Sequence, residues 1–496
     1  MSSIMSGTGM RSRAKALRER AGRFFLKPVS IAPLVVFRVL FGALMLAGTL
    51  RFAWKGWIRD LYITPEYFFR YYGFEWLPVP GDPAIYGLFL LMGLSALGIM
   101  LGYRYRWSAL LFFLSFTWVE LIDKTNYLNH YYFVSLVSFL LILVPAHRSF
   151  SLDVRRRPSL KRASVPAWCV HIFKLQLGIV YVHAGLAKLN ADWLMEALPL
   201  KLWLPARAHL PLIGGWLDET VTAYLFSWGG ALYDLSIPFL LLYGRTRAFA
   251  YAAVVLFHGM TALLFQIGMF PYIMTGCTLI FFSPAFHERL LGVMRAAGRK
   301  LAFRRGGGGK AARSLSGAGF SRDPVEGSAG VRTTLRGGLL HAALVIFFML
   351  QLLVPHRHLL YPGNVFWNEE GYRFSWRVML MEKAGHAVFH VRDPDTGREW
   401  QVSNYEFLTP NQEKMMATQP DMILQFAHYL EDHYRSEGYG DVAVSVEARV
   451  TLNGRRSSLL VDPGVDLTEK ERGLAHKEWI LPYPRNAQSW MGGRKQ

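Results

Sequence analysis

The chain has 496 residues, of which 52% are apolar, 15% are aromatic and only 18% are charged. A chain of this length exceeds one compact core, so we expect two regions, and a soluble protein would carry about a quarter charged residues. Lys and Arg outnumber Asp and Glu by 55 to 35, which alone fits either nucleic acid or a membrane. The long apolar segments favour membrane lipid as the partner, and we expect no nucleic acid.

Apolar stretches long enough to cross a bilayer recur along the chain. A hydrocarbon core about 30 Å thick needs roughly 20 helical residues. Pro and Gly inside such stretches do not argue against a helix, because packed neighbours satisfy the freed backbone groups. We predict nine membrane helices, at 31–49, 84–102, 107–122, 131–146, 167–187, 222–243, 246–266, 269–285 and 336–354.

The basic residues predict how these helices are oriented, because cytoplasmic flanks retain Lys and Arg. Residues 1–30 are strongly basic and lack an apolar core, so we expect a cytoplasmic N-terminus and no cleavable signal peptide. With nine crossings, the loops after helices 2, 4, 6 and 8 should also be basic, and all four are. The segment from 123 to 130, the segment from 188 to 221 and everything after 354 are then extracytoplasmic.

Composition divides the chain into regions and predicts a mostly α fold. The predicted regions are a basic cytoplasmic N-terminus (1–30), a transmembrane domain of eight helices (31–285), a basic Gly/Ser-rich cytoplasmic linker (286–335), the ninth helix (336–354) and a mixed, β-rich extracytoplasmic domain (355–496). In the last region we predict a helix over 411–435. We also predict two hairpins, at the DPDTG turn (393–397) and at Asn453–Gly454.

Lys188 is the most informative polar residue, because it ends an otherwise apolar helix. An amine in a dry environment loses its preference for the charged form and can act as a base. The alternative is an interfacial lysine that snorkels to the surface and pairs with Asp192 one turn later.

Other polar residues carry similar alternatives. His130, beside Asn129 at a helix start, could orient a substrate oxygen or relay a proton, or could simply cap or pack. His258 is more typical of a hydrogen-bonded interior histidine. Arg38 and Asp234 are costly inside a membrane unless paired, so we expect them to pair with each other and hold helices 1 and 6 together.

The two cysteines do not suggest a reactive or metal-binding role. Cys169 and Cys277 both fall in predicted membrane helices and indicate neither a disulfide framework nor a metal cluster. No metal-ligand or phosphate-binding motif occurs in a credible context, so we expect no metal.

Four separated blocks resemble the vitamin K-dependent γ-glutamyl carboxylase family, whose membrane half is the horizontally transferred transmembrane (HTTM) domain. The blocks, in chain order, are DKTNYLNHYY, AGLAKLNADW, FHGMTALLFQIGMFPYIM and GYRFSW. The resemblance implies an enzyme that uses vitamin K hydroquinone, or a menaquinol, with O₂ and CO₂. It implies that an activated amine deprotonates the hydroquinone, that oxygenation leads to the epoxide, and that a glutamate in a protein or peptide substrate is carboxylated.

Residue by residue, Lys188 matches the family's catalytic base in KLNADW. His130 matches a histidine that helps position or activate the base, and Asn129 a residue that helps hold the hydroquinone. His258 matches the histidine of the FHGM block. His358, Tyr372 and Trp376 match residues associated with the quinone and glutamate pocket. We therefore expect Lys188, Asn129 and His130 to converge in one pocket near the outer membrane surface, with Tyr372 and Trp376 above it.

The chain also departs from the resemblance. Animal members of the family carry a disulfide between the membrane and soluble parts, which Cys169 and Cys277 cannot supply, so we expect packing alone to join the two parts. Three functions stay open: a carboxylase, a quinol epoxidase without the carboxylation acceptor, and a non-enzymatic quinone- or lipid-binding protein. The absence of a secretory signal fits a bacterial inner membrane.

Overall fold

The computed structural model of the chain describes residues 24–265, 267–304 and 335–484, and about 60% of the structure is helical. A helical domain comes first and a smaller domain with a β-sheet follows. The elements of the helical domain are β1 (Pro28–Ser30), α1 (Ala32–Trp54), α2 (Trp57–Tyr62), α3 (Asp82–Leu101), α4 (Tyr105–Ile122), α5 (Asn129–Leu143), α6 (Leu152–Arg156), β2 (Ser164–Pro166), α7 (Trp168–Ala187), α8 (Ala191–Leu194), α9 (Leu200–Trp203), α10 (Gly214–Leu217), α11 (Thr220–Leu242), α12 (Arg247–Leu264), α13 (Phe270–Thr278), α14 (Pro284–Arg304) and α15 (Leu335–Leu353).

Six helical segments among the described residues are long and apolar enough to cross a membrane. They are α1, α3, α7, α11, α12 and Gly338–Leu360, which extends α15. Asn129–Leu143 and Phe270–Phe281 are apolar but shorter, and α4 carries Arg106 and Glu120, which lower its apolar character. The chain is therefore a membrane protein, but the predicted count of nine spans is not confirmed.

Helix α1 forms the centre of the bundle and packs against α3, α13 and α14, while α7 pairs with α11. The α1–α3 contact is close because a Cβ at Gly42 would lie 2.5 Å from the backbone nitrogen of Met100. Small residues allow membrane helices to approach in this way.

Arg38 does not pair with Asp234, so that prediction is wrong. Its guanidinium is fully buried and donates to the carbonyls of Ile99 (2.7 Å), Met100 (2.9 Å) and Phe150 (2.6 Å). A cation can be satisfied by backbone acceptors at the end of a helix. Since α3 ends at Leu101, its last carbonyls supply two of these acceptors.

The C-terminal domain contains a four-stranded antiparallel sheet with strand order β4-β3-β5-β6 and helix α18 packed on β5. Its elements are α16 (Val365–Asn368), β3 (Lys383–Arg392), β4 (Glu399–Val402), α17 (Pro410–Met416), α18 (Pro420–Ser436), β5 (Ala443–Leu452) and β6 (Ser458–Leu459). Both predicted hairpins are present: β3 pairs with β4 across 393–397, and β5 pairs with β6 across Asn453 and Gly454. Those two turn residues both have positive φ, as a tight turn with Asn-Gly requires.

Two other predictions need correction. The single helix expected over 411–435 is two helices, α17 and α18, because Pro420 begins a new one. The first part of the expected 286–335 linker is helical, since α14 continues to Arg304. The Gly-rich run of that linker lies outside the described residues.

Polar contacts, and not packing alone, join the two domains. Asp192, just after α7, accepts from both terminal guanidinium nitrogens (Nη1 and Nη2) of Arg455 at 2.8 Å. It also accepts from the side-chain amide of Asn453 at 2.6 Å. Lys124 lies 2.7 Å from Asp421, which belongs to α18. These charge-assisted bonds connect loops of the helical domain to the sheet and to α18.

Candidate active site

Lys188 lies at the end of α7 and is only 5% exposed. Its amine is 2.6 Å from Asp234 of α11, 3.4 Å from the carbonyl of Ala184 and 5.4 Å from the ring centre of Trp193. The interpretation that pairs Lys188 with Asp192 is wrong, because Asp192 points to the C-terminal domain and binds Arg455. Lys188 is thus held in a buried ion pair.

The glycines of this region bring α7 and α11 together. A Cβ at Gly185 would lie 2.7 Å from the side chain of Leu235 and 2.9 Å from its backbone nitrogen. A Cβ at Gly230 would lie 3.8 Å from Cε of Lys188, so the lysine side chain passes directly over that glycine. The Gly185 position in the AGLAKLNADW block therefore sets the helix distance that allows the ion pair to form.

Trp193 is fixed beside the amine by its own short helix. Asn190 accepts from the backbone N–H of Trp193 at 3.0 Å and so caps α8. The indole N–H donates to the carbonyl of Ser227 on α11 at 2.8 Å. The indole face can then stabilise a nearby ammonium by a cation–π contact.

Lys188 and Asp234 line a cavity of about 430 Å³, here named cavity B, with walls that are largely apolar and aromatic. His258 of α12 also lines it, is 2% exposed and lies 3.2 Å from the hydroxyl of Tyr181 through Nε2. Its other ring nitrogen, Nδ1, has no hydrogen-bond partner among the described residues. The volume of cavity B falls in the usual range for small-molecule pockets. With aromatic walls and the unpartnered Nδ1 of His258, its lining suits a flat aromatic ligand that carries an oxygen substituent.

A second cavity, named cavity A, has a volume of about 500 Å³ and contains Asn129, His130 and Tyr372. Asn129 accepts from the Tyr127 hydroxyl at 3.1 Å and donates to the carbonyl of Arg377 at 3.4 Å. The Tyr372 hydroxyl donates to the same carbonyl at 3.2 Å, and burial raises the pKa of this phenol. These contacts join the start of α5 to the segment that follows α15.

The expectation of a single pocket is wrong, because Lys188 lies in cavity B while Asn129 and His130 lie in cavity A. The two cavities adjoin, and they share four lining residues: Ile267, Phe270, Val378 and Met379. The Phe270 ring lies 5.8 Å from the ring of His130 and 5.7 Å from that of His258. The Phe270 ring therefore lies at the boundary between the two cavities.

His358 and Trp376 line neither cavity in the described part of the chain. His358 accepts from the Arg377 guanidinium at 2.8 Å and binds the carbonyl of Pro355 at 3.0 Å, so it reaches cavity A only through Arg377. Trp376 is 1% exposed and stacks on Tyr132 with a centroid distance of 5.0 Å. Trp376 is part of the hydrophobic core, and its indole N–H has no hydrogen-bond partner among the described residues.

The segment 369–379 is strained. Glu369, Phe374, Trp376 and Met379 all have positive φ, which costs a non-glycine residue of the order of 1 kcal/mol or more. Gly371 also has positive φ, and a Cβ there would lie 2.7 Å from the backbone of His358. Such strain persists where surrounding structure imposes it and is common at functional sites.

A polar cluster at the rim of cavity A was not predicted from the sequence. Asp421 of α18 lies 2.7 Å from Lys124 and 2.8 Å from Arg373, and Lys124 is 4% exposed. Burial lowers the pKa of Lys124 to about 8. Lys124 lies in the block DKTNYLNHYY and Arg373 in the block GYRFSW. The charged residues of these two blocks could therefore have indicated the cluster.

Glu120 was also missed, although it falls inside a predicted membrane helix. It lines cavity A and accepts from the Ser135 hydroxyl at 2.6 Å. An ionisable residue within a membrane helix is a functional candidate on physical grounds alone. No group of three or more His, Cys, Asp or Glu side chains suited to a metal occurs within 24–265, 267–304 and 335–484.

The fold and the two cavities define a helical membrane protein with a buried, aromatic-lined amine site beneath a smaller domain. The family model of the HTTM domain matches residues 26–286, which is more than half of the chain. The model described as vitamin K-dependent gamma-carboxylase, lumenal domain, matches residues 337–486. The chain therefore belongs to the HTTM-containing vitamin K-dependent gamma-carboxylase family. No solved structure matches it.

Proposed function

We propose that the protein is a vitamin K-dependent γ-glutamyl carboxylase. In the overall reaction, a quinol, O₂, a glutamyl side chain and CO₂ give the quinone epoxide, γ-carboxyglutamate and water. One oxygen atom of O₂ enters the epoxide and the other leaves as water. The γ-hydrogen of glutamate is replaced by the new carboxyl group. The membership of both domains in the carboxylase family supports this type of function.

The buried Lys188–Asp234 pair carries the proposal. An ion pair with both side chains 7% exposed sits in surroundings that stabilise charge poorly. Transfer of one proton from the ammonium to the carboxylate across 2.6 Å leaves a neutral amine and a neutral acid. The freed amine of Lys188 then accepts the hydroxyl proton of the quinol. Asp234 therefore acts on the quinol through Lys188, as a positioning and proton-storing residue.

The quinol ring is proposed to bind in cavity B. Its aromatic lining offers stacking partners, and Nδ1 of His258 is available to a quinol oxygen. Leu225 and Leu256 line this cavity and are 67% and 65% exposed, so they face the lipid. An apolar side chain on the ring can therefore extend from the cavity into the bilayer.

Cavity A is proposed to receive the glutamyl side chain. Asn129 and His130 lie there with Tyr372, so their proposed role is to orient the acceptor and not the quinol ring. The reacting atoms of the two substrates would meet where the cavities adjoin, at Phe270 and Met379. Both are apolar, which keeps water from a strongly basic species formed at this place.

We also propose an orientation of the protein in the membrane. The distribution of basic loops predicts that the C-terminal domain and both cavities face away from the cytoplasm. A bacterial inner membrane with a protein or peptide acceptor on its outer side is the setting that we propose.

The test uses the purified full chain in lipid nanodiscs with vitamin K hydroquinone, labelled CO₂ and a short glutamate-rich peptide. Lys188→Ala is compared with Lys201→Ala, since Lys201 is also a lysine beside an aromatic ring (4.5 Å from Tyr224) but lines none of the cavities described. We expect epoxide and labelled peptide from the wild type and from Lys201→Ala, and neither from Lys188→Ala.

Other outcomes separate the alternatives. Epoxide without labelled peptide, lost in Lys188→Ala, would favour the quinol epoxidase that lacks this acceptor. Quinol binding without either product would favour the binding protein and refute the enzymatic proposal.

A further inference from the structure

A third cavity, named cavity C, lies between the helical domain and the C-terminal domain. It has a volume of about 200 Å³, and eight of its lining residues are charged. Lys124, Glu369 and Arg373 line both cavity C and cavity A. Cavity C therefore adjoins the chamber that holds His130, and these three side chains stand at the junction.

The lining of cavity C is cationic. It contains five basic side chains, Lys124, Arg357, Arg373, Arg472 and Lys477, and three acidic ones, Glu369, Glu370 and Asp421. Each carboxylate already has a partner: Glu369 pairs with the ammonium of Lys383 at 2.9 Å, Glu370 binds the imidazole of His476 at 2.8 Å and Asp421 binds two cations. In the described part of the chain, the side chains of Arg357 and Lys477 hydrogen-bond to carbonyls and pair with no carboxylate, and the Arg357 guanidinium lies 5.8 Å from the ring centre of Phe374. A cleft lined in this way attracts anions.

Around the junction, three cations (Lys124, Arg373 and Lys383) meet two carboxylates (Asp421 and Glu369), so one positive charge is left over. Asp421 binds Lys124 at 2.7 Å and accepts from both terminal nitrogens of Arg373, at 2.8 and 3.2 Å. Arg373 also donates to the neutral side-chain amide of Gln419. Burial opposes ionisation of Asp421, but Arg373 and Lys124 hold the pKa of its carboxyl well below the usual range. Arg472 adds a further positive charge near Lys124. Two largely buried cations, Lys124 and Arg373, thus share one carboxylate at the junction of the cavities.

We infer that Lys124 and Arg373 form a recognition site for the carboxylate of an acidic peptide side chain that enters through cavity C and reaches cavity A. Arg373 can present a planar pair of N–H donors to such a carboxylate, and Lys124 a compact charge. Asp421 occupies this place in the free protein and is the group that the incoming carboxylate displaces or shares. The inference rests on the proposed function only in that the bound side chain is the carboxylation acceptor.

The test measures peptide binding to the full chain in nanodiscs, without quinol or CO₂, by calorimetry. A glutamate-rich peptide is compared with the same peptide carrying glutamine, and with bicarbonate as a free anion. We expect the glutamine peptide to bind at least tenfold more weakly. Competition by millimolar bicarbonate at the same strength as the peptide would identify a small-anion site and overturn the inference.

Variants distinguish recognition from a structural role. Arg373→Gln should weaken binding of the glutamate peptide by about tenfold or more, and Arg373→Lys by less. Asp421→Asn removes the competing carboxylate and should strengthen binding, whereas a structural ion pair would show the opposite. Arg435→Gln breaks an exposed ion cluster of the same helix, α18, and should change nothing.

Failure of this inference is separable from failure of the proposed function. Lys188→Ala should bind the peptide normally, because the site lies in another cavity. Labelled product together with unchanged binding in Arg373→Gln and Asp421→Asn would refute the recognition site and leave the carboxylase standing. Carboxylate-selective binding that responds to these variants would support the site even where no product forms.

Discussion

Asp234→Asn removes the charge that faces Lys188 and keeps the shape of the side chain. Both members of this pair are 7% exposed, and removing one partner of a buried ion pair typically costs about 3–5 kcal/mol of folding free energy. For a domain near 250 residues, each kcal/mol shifts Tm by roughly 2–4 °C, so Tm should fall by about 6–20 °C. Quinol oxidation should fall by about 10²–10⁴-fold, the usual contribution of a positioned base.

The double variant Lys188→Met, Asp234→Leu separates the two effects. Replacing a buried pair by apolar residues of similar volume is often neutral or stabilising by about 1–4 kcal/mol, so Tm should return to the wild-type value or exceed it. Activity should stay absent, because no amine remains. Tryptophan fluorescence on heating and epoxide formation are measured on the same nanodisc samples. Wild-type Tm and wild-type turnover in Asp234→Asn would refute the reasoning for both stability and chemistry.

Gly185→Ala should lower the free energy of unfolding by about 1–3 kcal/mol through overpacking, and should therefore lower Tm and reduce epoxide formation. Gly178→Ala should match the wild type, because its Cβ would meet its nearest neighbour at 3.8 Å. Arg455→Gln should make the C-terminal domain more sensitive to limited proteolysis; equal digestion of this variant and of Arg449→Gln, which breaks an exposed pair, would count against the interdomain contact. Burial lowers the pKa of Lys124 to about 8 in the folded chain, against an ordinary value of 10.5. Between these two values the unfolded chain binds more protons, so the contribution of Lys124 to stability rises with pH across that window. Peptide binding needs the charged amine and should weaken above about pH 8; a flat profile from pH 7 to 10 in calorimetry would refute this assignment.

Local chemistry explains what could be predicted from the sequence. The Asn453–Gly454 hairpin follows from two residues that tolerate positive φ, and the apolar runs predict most of the long helices. The break at Pro420 was also readable, because proline commonly starts a helix and rarely continues one. These features depend on neighbours within a few positions of the chain.

The arrangement of the site depends on contacts that no local pattern specifies. Asp234 faces Lys188 and not Arg38, because α7 rather than α1 packs against α11, and helix adjacency is not encoded in composition. Phe270 marks the boundary between the two cavities, because its ring lies close to both His130 and His258. Positive φ at Trp376 likewise reflects constraint from the surrounding fold.

The bidentate contact between Asp192 and Arg455 has a consequence for where this protein can operate. The chain contains only two cysteines, and both are buried and unbridged. Its domains are therefore joined by bonds that form without oxidants or isomerases and that persist in the presence of thiols. Their strength responds instead to ionic strength, because salt screens partly exposed charges. A cell that lacks disulfide-forming machinery can assemble such a protein, and reductants in a preparation should leave it intact.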